Sequence, residues 1–190
     1  TGATDEDTVL NTAAPGVLFN DSDPDTSDVL VVTTSDTTSA QGATVAVAAN
    51  GSYSYDPTLS APLQALSPGD SLVDTFSYTI GDGNGGSAGA QVSITVYGVN
   101  DPPVADDDTG ATDEDTVLNV PAPGVLDGDT DPDTSDTLTV SGSDTVSAKG
   151  AAVTANADGS YSYDPTGSAT LQALSAGEST TDTFTYTVDD

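Results

Sequence analysis

The sequence predicts an all-β fold, with tandem β-sandwiches of immunoglobulin-like type connected as Greek keys. The last 82 residues repeat the first 82 at an offset of 108 positions, with 57 identical pairs, so the chain is a stretch of a tandem array. Within each repeat, short runs of alternating apolar and polar residues are typical of half-buried strands. Turn-forming residues separate these runs, which favours a sandwich of several short strands.

Six runs mark the expected strands of the first repeat. In chain order they are Thr8–Leu10, Asp28–Thr34, Ala43–Ala48, Ser52–Tyr55, Asp74–Ile80 and Ala90–Tyr97. In the fifth run, the alternation points Phe76, Tyr78 and Ile80 inward. Asn50-Gly51 predicts a tight hairpin between the third and fourth strands. The helix-like segment Pro62–Leu66 predicts a single turn that closes one end of the core.

The expected domains are residues 1–101, an acidic and proline-containing linker over 102–108, and a second domain over 109–190. The second domain lacks a counterpart of residues 83–101, and with it the last strand. Two interpretations stay open at this point: the chain was cut there, or a neighbouring chain donates the missing strand.

Charge restricts the classes of partner. The chain carries 31 acidic residues against one Lys or Arg and no His, for a net charge of −30. Nucleic acid is excluded as a partner because almost nothing can neutralise phosphate, and no apolar run is long enough to insert into a membrane. There is no cysteine, which excludes disulfides and thiolate metal sites. The charge leaves a disordered chain as an alternative, and divalent cations are the natural counter-charges if the chain folds.

An acidic loop recurs once in each repeat. Its carboxylates fall mostly at every second residue, and they are Asp21, Asp23, Asp25 and Asp28 in the first copy and Asp129, Asp131, Asp133 and Asp136 in the second. Oxygen ligands in this number select Ca²⁺. The spacing begins like an EF-hand loop but fails at the glycine position, where Thr26 stands, and at the twelfth position, where Val32 stands. A solvated acidic loop that binds nothing is the alternative.

Further acids lie at the edges of the repeats. If seven strands run alternately up and down, one inter-domain seam gathers Asp21, Asp23, Asp25, Asp28, Asn100, Asp101, Glu114, Asp115 and Asp190. The complete set of expected metal ligands is Glu6, Asp7, Asp21, Asp23, Asp25, Asp28, Asp82, Asn100, Asp101, Glu114, Asp115, Asp129, Asp131, Asp133, Asp136 and Asp190. The expected cofactor is Ca²⁺.

The order of motifs resembles a known family. Glu-Asp-Thr, Gly-Val-Leu-x-Asn-Asp-x-Asp-Pro-Asp, Gly-Ser-Tyr-Ser-Tyr-Asp-Pro, Asp-Thr-Phe-x-Tyr-Thr and Val-Asn-Asp-Pro-Pro-Val follow one another as in the cadherin-like, VCBS-type tandem repeats of large, RTX-like bacterial surface adhesins. The resemblance covers essentially the whole chain. It implies cadherin-like sandwiches in an extracellular, Ca²⁺-rigidified extender that supports adhesion or biofilm formation and is usually exported by type I secretion. Asn100-Asp101-Pro102 resembles the inter-domain linker of cadherins.

The predicted function is therefore structural. No His, Cys or nucleophile motif supports catalysis, so no enzymatic activity is expected. The expected partners are neighbouring repeats of the same chain and, in the first alternative, other copies joined by strand exchange into an extracellular filament. A lectin-like module is the second alternative, because Tyr53, Tyr55, Tyr161 and Tyr163 could line a sugar site, although packing in the core is the expected role of these tyrosines.

Overall fold

The computed structural model describes every residue from Thr1 to Asp190 and divides into two compact units. The first unit comprises Thr1–Asp101 together with Asp133–Ser135, and the second comprises Pro102–Pro132 and Asp136–Asp190. The strands of the first unit are β1 (Gly2–Asp5), β2 (Leu10–Thr12), β3 (Val31–Ser35), β4 (Thr44–Val47), β5 (Tyr53–Asp56), β6 (Ser71–Gly81) and β7 (Ser87–Tyr97). Those of the second are β8 (Leu118–Val120), β9 (Thr139–Ser143), β10 (Ala152–Ala155), β11 (Tyr161–Asp164) and β12 (Tyr186–Asp189).

Two sheets form the first unit. One has the order β1-β7-β6-β3 and the other the order β2-β5-β4. Strands β6 and β7 form a long antiparallel hairpin, in which Ser71 pairs with Tyr97 and Gly81 with Ser87. Strand β1 runs parallel to β7, with Asp5 opposite Tyr97. The end of β1 therefore lies at the same end of the unit as the end of β7, which positions the acidic site described below.

The core lies between these sheets. Phe76, Ile94 and Val96 from one sheet pack in a single buried cluster with Val45 and Tyr55 from the other. Each large apolar side chain buried in this way stabilises the fold by about 1.5–3 kcal/mol. The alternating pattern on β6 behaves as expected, since Phe76, Tyr78 and Ile80 are all buried. The all-β sandwich predicted from the sequence is confirmed.

A buried polar network crosses the core. The hydroxyl of Tyr55 donates to Oδ2 of Asp74 (2.6 Å), and the backbone N–H groups of Gln41 (2.9 Å) and Thr75 (2.7 Å) donate to Oδ1. Neither Asp74 nor Tyr55 is exposed to solvent. The carboxylate therefore fixes the turn that precedes β4 to the β6 strand.

The second unit repeats parts of this architecture. Strands β10-β11-β8 form one sheet, and β12 pairs with β9 in another. Tyr161 packs on Phe184 with ring centroids 5.5 Å apart, as Tyr53 packs on Phe76 in the first unit. Residues 102–108, predicted as a linker, pair with this unit: Val104 exchanges backbone hydrogen bonds with Thr130.

The structure differs from the predicted elements at several places, and the strand predicted over Thr8–Leu10 is β2 over Leu10–Thr12. Strand β1 was not predicted, because Gly2–Asp5 lacks the apolar alternation that marks a strand. Pro62–Leu66 forms hydrogen-bonded turns, as predicted, but its counterpart forms a short 3₁₀ helix over Leu171–Ala173. Further 3₁₀ helices cover Gly16–Asn20 and Gly124–Leu126. The structure contains no helix that is long and apolar enough to cross a membrane.

A close backbone contact holds the first 3₁₀ helix against the β4–β5 hairpin. The backbone N–H of Val17 donates to the carbonyl of Gly51 (2.9 Å). A Cβ atom on Gly51 would lie 2.0 Å from the carbonyl oxygen of Pro15, and Gly51 has φ of +83°. A Cβ atom on Gly16 would lie 2.0 Å from the carbonyl oxygen of Gly51. Both positions therefore require glycine.

We expect Gly51→Ala to destabilise the first unit by about 2 kcal/mol, because a Cβ is disfavoured at positive φ and its clash with Pro15 must also be relieved. Thermal unfolding followed by circular dichroism measures the change. Gly69→Ala is the matched control, since Gly69 also has positive φ but nothing lies within 4 Å of its Cβ position. Equal losses in the two variants would contradict the role of the backbone contact.

Candidate metal centre

Glu6 is the centre of an acidic site at one end of the first unit. It follows directly on β1, and its backbone N–H donates to the carbonyl of Tyr97 (3.1 Å). The side chain is completely buried. Oε1 accepts a hydrogen bond from the backbone N–H of Val99 (2.6 Å), whereas Oε2 is buried without a hydrogen-bond partner. One oxygen of a fully enclosed carboxylate is thus left without a donor.

Backbone contacts hold Glu6 in place. The side-chain amide of Gln64 donates to the carbonyl of Glu6 (2.8 Å). After β7 the chain passes over the turn at Leu66 and Ser67, and a Cβ on Gly98 would lie 2.2 Å from the carbonyl oxygen of Ser67. Glycine at position 98 therefore permits the close approach that brings the N–H of Val99 to the Glu6 carboxylate.

Two further carboxylates belong to this site. Asp133 is 1% exposed, and its Oδ2 accepts a hydrogen bond from the backbone N–H of Asp101 (2.8 Å). Burial raises the pKa of Glu6, and the nearby carboxylates of Asp133 and Asp101 raise it further, against the opposing effects of the backbone N–H groups of Val99 and Leu66. The only basic side chain of the whole protein, Lys149, lies in the second unit.

These observations fit a hard cation. Burying a carboxylate costs free energy unless a donor or an opposite charge compensates it. Here the first unit offers no basic side chain, and Oε2 of Glu6 has no donor. Carboxylate oxygens are the ligands that Ca²⁺ prefers, so Glu6, Asp101 and Asp133 form a suitable donor set.

A second acidic cluster lies at the opposite end of the first unit. Carboxylate oxygens of Asp23, Asp25 and Asp28 lie within 4.8 Å of one another. The side-chain amide of Asn84, in the β6–β7 hairpin loop, donates to Asp28 (2.9 Å). This cluster is more open, and Asp25 in particular is exposed. Three of the four carboxylates expected in this loop therefore lie together, and Asp21 is not among them.

The predicted placement of the loop Asp21–Asp28 at the same end as Asn100 and Asp101 is wrong. The Asp28 side chain touches the hairpin loop before β7, whereas Asn100 and Asp101 follow the end of β7. The eleven residues of β7 separate the two ends by roughly 35 Å. The prediction assumed seven strands counted from Thr8–Leu10, but the seventh strand is β1, which precedes that segment. Only the five strands β3 to β7 therefore lie between the acidic loop and Asn100, and an odd number of traverses places the two at opposite ends.

The same reasoning corrects the placement of Glu114 and Asp115. The side-chain amide of Gln172 donates to the carbonyl of Glu114, as Gln64 does to Glu6, so Glu114 occupies the Glu6 position of the second unit. It therefore lies at the end away from Asp190, which follows β12. Glu114 is only half-buried and Asp115 is exposed.

Carboxylates also lie close together at the N-terminal end of the second unit. Carboxylate oxygens of Asp131 and Asp190 lie within 4.8 Å of each other. The hydroxyl of Tyr186 contacts Asp129 (3.3 Å) and Asp108 (3.2 Å), and the N–H of Asp106 donates to Asp129 (2.7 Å). Burial, and then the carboxylates of Asp129, Asp127 and Asp106, raise the pKa of Asp108.

Some acids have other surroundings. Asp82 caps its own hairpin loop by accepting from the N–H groups of Asn84 (2.7 Å) and Gly86 (3.0 Å), which lower its pKa. Asp21 accepts from the hydroxyl of Tyr78 (3.0 Å). Asp7 is exposed, Asp136 is half-buried, and the amide of Asn100 donates to the carbonyl of Asp101 (3.2 Å).

Four acids beside these clusters were left out of the expected ligands. Asp106, Asp108 and Asp127 were not among the expected ligands, although the run of aspartates at 106–108 was a visible signal. Asp5 was also missed, and its Oδ1 is buried without a hydrogen-bond partner. Its position at the end of the unpredicted strand β1 explains the omission.

Comparison with known sequences agrees with this geometry. The sequence matches the profile of the bacterial cadherin-like domain over residues 1–98 and again over residues 100–190. No curated protein matches the chain. Cadherin-like domains are structural or adhesion modules typical of extracellular and cell-surface proteins, they are not enzymes, and they generally bind Ca²⁺. Since the two matches together cover nearly the whole sequence, the chain belongs to the bacterial cadherin-like domain family.

Proposed function

We propose that this chain is an extender segment of a secreted or cell-surface bacterial adhesin and that Ca²⁺ stiffens it. The observation that carries the proposal is Glu6: a fully buried carboxylate, with one oxygen lacking a hydrogen-bond donor, in a unit without a basic side chain. An uncompensated buried carboxylate destabilises a fold, and a bound cation would remove this cost.

Glu6, Asp101 and Asp133 would hold the ion. When bound, the ion supplies positive charge and accepts oxygen ligands. The three carboxylates belong to segments far apart in the sequence: the end of β1, the segment after β7, and the loop 133–135. A shared ion would link these segments and reduce the freedom with which they separate.

Extracellular modules bind Ca²⁺ with dissociation constants of about 10⁻⁴–10⁻³ M, so sites of this kind are substantially filled outside the cell. Mutual repulsion among the 31 acidic residues favours expanded conformations when the ions are removed. In this proposal, repeated units give the segment its length. The bound ions stiffen it, which suits it to adhesion or biofilm formation.

Removal of Ca²⁺ tests the proposal directly. We expect 10 mM Ca²⁺, relative to EDTA, to raise the melting temperature by roughly 10 °C or more if the dissociation constant is about 10⁻⁴ M. Small-angle X-ray scattering of the same samples should give a narrower distribution of dimensions with Ca²⁺. Mg²⁺ at equal ionic strength is the control for screening. Identical melting and scattering in Ca²⁺ and EDTA would refute the proposal.

A further inference from the structure

The segment Asp133–Ser135 lies on the turn Ala65–Ser67 within the first unit. The hydroxyl of Thr134 donates to the carbonyl of Ala65 (3.2 Å). The hydroxyl and the backbone N–H of Ser135 both donate to Oγ of Ser67, at 2.5 Å and 3.3 Å. None of these three bonds involves a carboxylate, so none of them depends on a cation.

The repeat supplies an internal comparison for this contact. The same tripeptide recurs as Asp25-Thr26-Ser27, and the same turn recurs as Ala173-Leu174-Ser175. In these copies Asp25 and Ser175 are exposed, whereas Asp133 and Ser67 are 1% and 3% exposed. Gly98 also lies against Ser67 and contributes to its burial. The difference in exposure between Asp133 and Asp25 follows from the contact that only the Asp133–Ser135 tripeptide makes.

We propose that the turn Ala65–Ser67 is a docking site for the tripeptide Asp-Thr-Ser, and that Ser67 is a positioning residue that holds Asp133 beside Glu6 before any cation binds. The consequence for Ca²⁺ affinity rests on the function proposed above, but the docking itself does not. The turn Ala173–Ser175 presents the same groups and fits the Asp-Thr-Ser segment of another copy of this repeat.

The three hydrogen bonds of the docked tripeptide oppose repulsion between the carboxylates of the site. Without a cation, the carboxylates of Glu6, Asp101 and Asp133 repel one another, and this repulsion favours release of the 133–135 segment. Hydrogen bonds between uncharged groups are insensitive to salt and each contributes about 1 kcal/mol. A segment held in advance loses less conformational freedom when the ion binds, which raises Ca²⁺ affinity.

Amide hydrogen exchange of the full chain in EDTA tests the docking. We expect the Ser135 amide to be protected in the wild type and in Ser175→Ala, and to exchange about fivefold faster or more in Ser67→Ala, the loss of one hydrogen bond. Ser175→Ala makes the same chemical change at the exposed copy. A Ser135 amide that exchanges at the unfolded-chain rate in wild type, or equally fast in wild type and Ser67→Ala, would overturn the proposal.

A second variant and a Ca²⁺ titration separate the two proposals. Thr134→Val removes the bond to Ala65 from an exposed position, so it should accelerate exchange at Ser135 even if Ser67→Ala does not fold. Both variants should bind Ca²⁺ about fivefold more weakly than wild type. If neither the wild type nor the variants bind Ca²⁺ but amide exchange at Ser135 responds as expected, the docking stands and the proposed function fails. If Ca²⁺ binds but Ser135 is unprotected in EDTA, the docking fails alone.

Discussion

Glu6→Gln is expected to remove most of the Ca²⁺-induced stabilisation of the first unit and, at the same time, to make the Ca²⁺-free protein more stable. Both changes have the same cause. The carboxylate is completely buried and has one oxygen without a hydrogen-bond donor, so its charge destabilises the fold unless an ion compensates it. Glutamine has nearly the same shape but carries no charge.

The expected magnitude follows from binding linkage. At a Ca²⁺ concentration one hundred times the dissociation constant, a site that exists only in the folded state adds about 2.7 kcal/mol. Thermal unfolding of the wild type and Glu6→Gln in EDTA and in Ca²⁺ gives the four required values. Glu114→Gln is the matched control, because Glu114 occupies the same position in the second unit but is only half-buried.

The pH dependence of folding stability, measured in EDTA, provides an independent check on the role of Glu6. Burial raises the pKa of folded Glu6 above its ordinary value of 4.5. The protonated side chain therefore stabilises the fold below about pH 4.5, and this contribution is lost as the pH rises through the folded pKa. The wild type should lose stability over this range, and Glu6→Gln should lose less. A variant that responds to Ca²⁺ and pH as the wild type does would exclude Glu6 from the site.

The sequence predicted the acids but not the ends of the unit at which they lie. Alternation identified the inward side chains of β6 because burial on one face leaves a period of two. Strand β1 left no such pattern, since Gly2, Ala3 and Thr4 pair with β7 through the backbone and carry little apolar surface. The prediction placed the seventh strand after the acidic loop instead of before it, which changed the number of traverses between that loop and Asn100 from five to six and so put both at the same end.

Burial of the site depends on contacts that no local pattern contains. Glu6 and Glu114 have identical flanking sequences, yet only Glu6 is enclosed, beside Val99, Asp101 and Asp133.

The burial of Asp74, in contrast, could be predicted from the alternating pattern of β6. Asp74 lies in phase with Phe76 and therefore on the inward face of β6.

Asp74→Asn is expected to destabilise the first unit by about 3 kcal/mol. The carboxylate is completely buried and accepts hydrogen bonds from the hydroxyl of Tyr55, which is also buried, and from the N–H groups of Gln41 and Thr75. Asparagine keeps the shape but replaces one acceptor oxygen with a donor. Either the Tyr55 hydroxyl or a backbone N–H then loses its partner, and breaking a buried charged interaction of this kind is strongly unfavourable.

The second unit supplies the control for this network. Asp182 accepts from the hydroxyls of Tyr163 (2.7 Å) and Ser147 (2.5 Å) and from the N–H of Lys149 (2.8 Å), but it is only half-buried. Because water can replace part of these bonds, Asp182→Asn should cost less, about 1–2 kcal/mol. Burial acts to raise the pKa of Asp182, but these hydrogen bonds together lower it. Its contribution is therefore present above the ordinary pKa and is lost as the pH falls through the folded value.

A double-mutant cycle with Tyr55→Phe isolates the buried pair. Tyr55→Phe leaves Oδ2 of Asp74 without its donor, so this single change should also cost about 2 kcal/mol. If the two groups stabilise the unit through their mutual bond, the double variant should be considerably more stable than the sum of the two losses predicts. Denaturant unfolding of the four proteins measures the coupling. Strict additivity would mean that Asp74 acts through the N–H groups of Gln41 and Thr75 alone, and that the turn before β4 is held without the tyrosine.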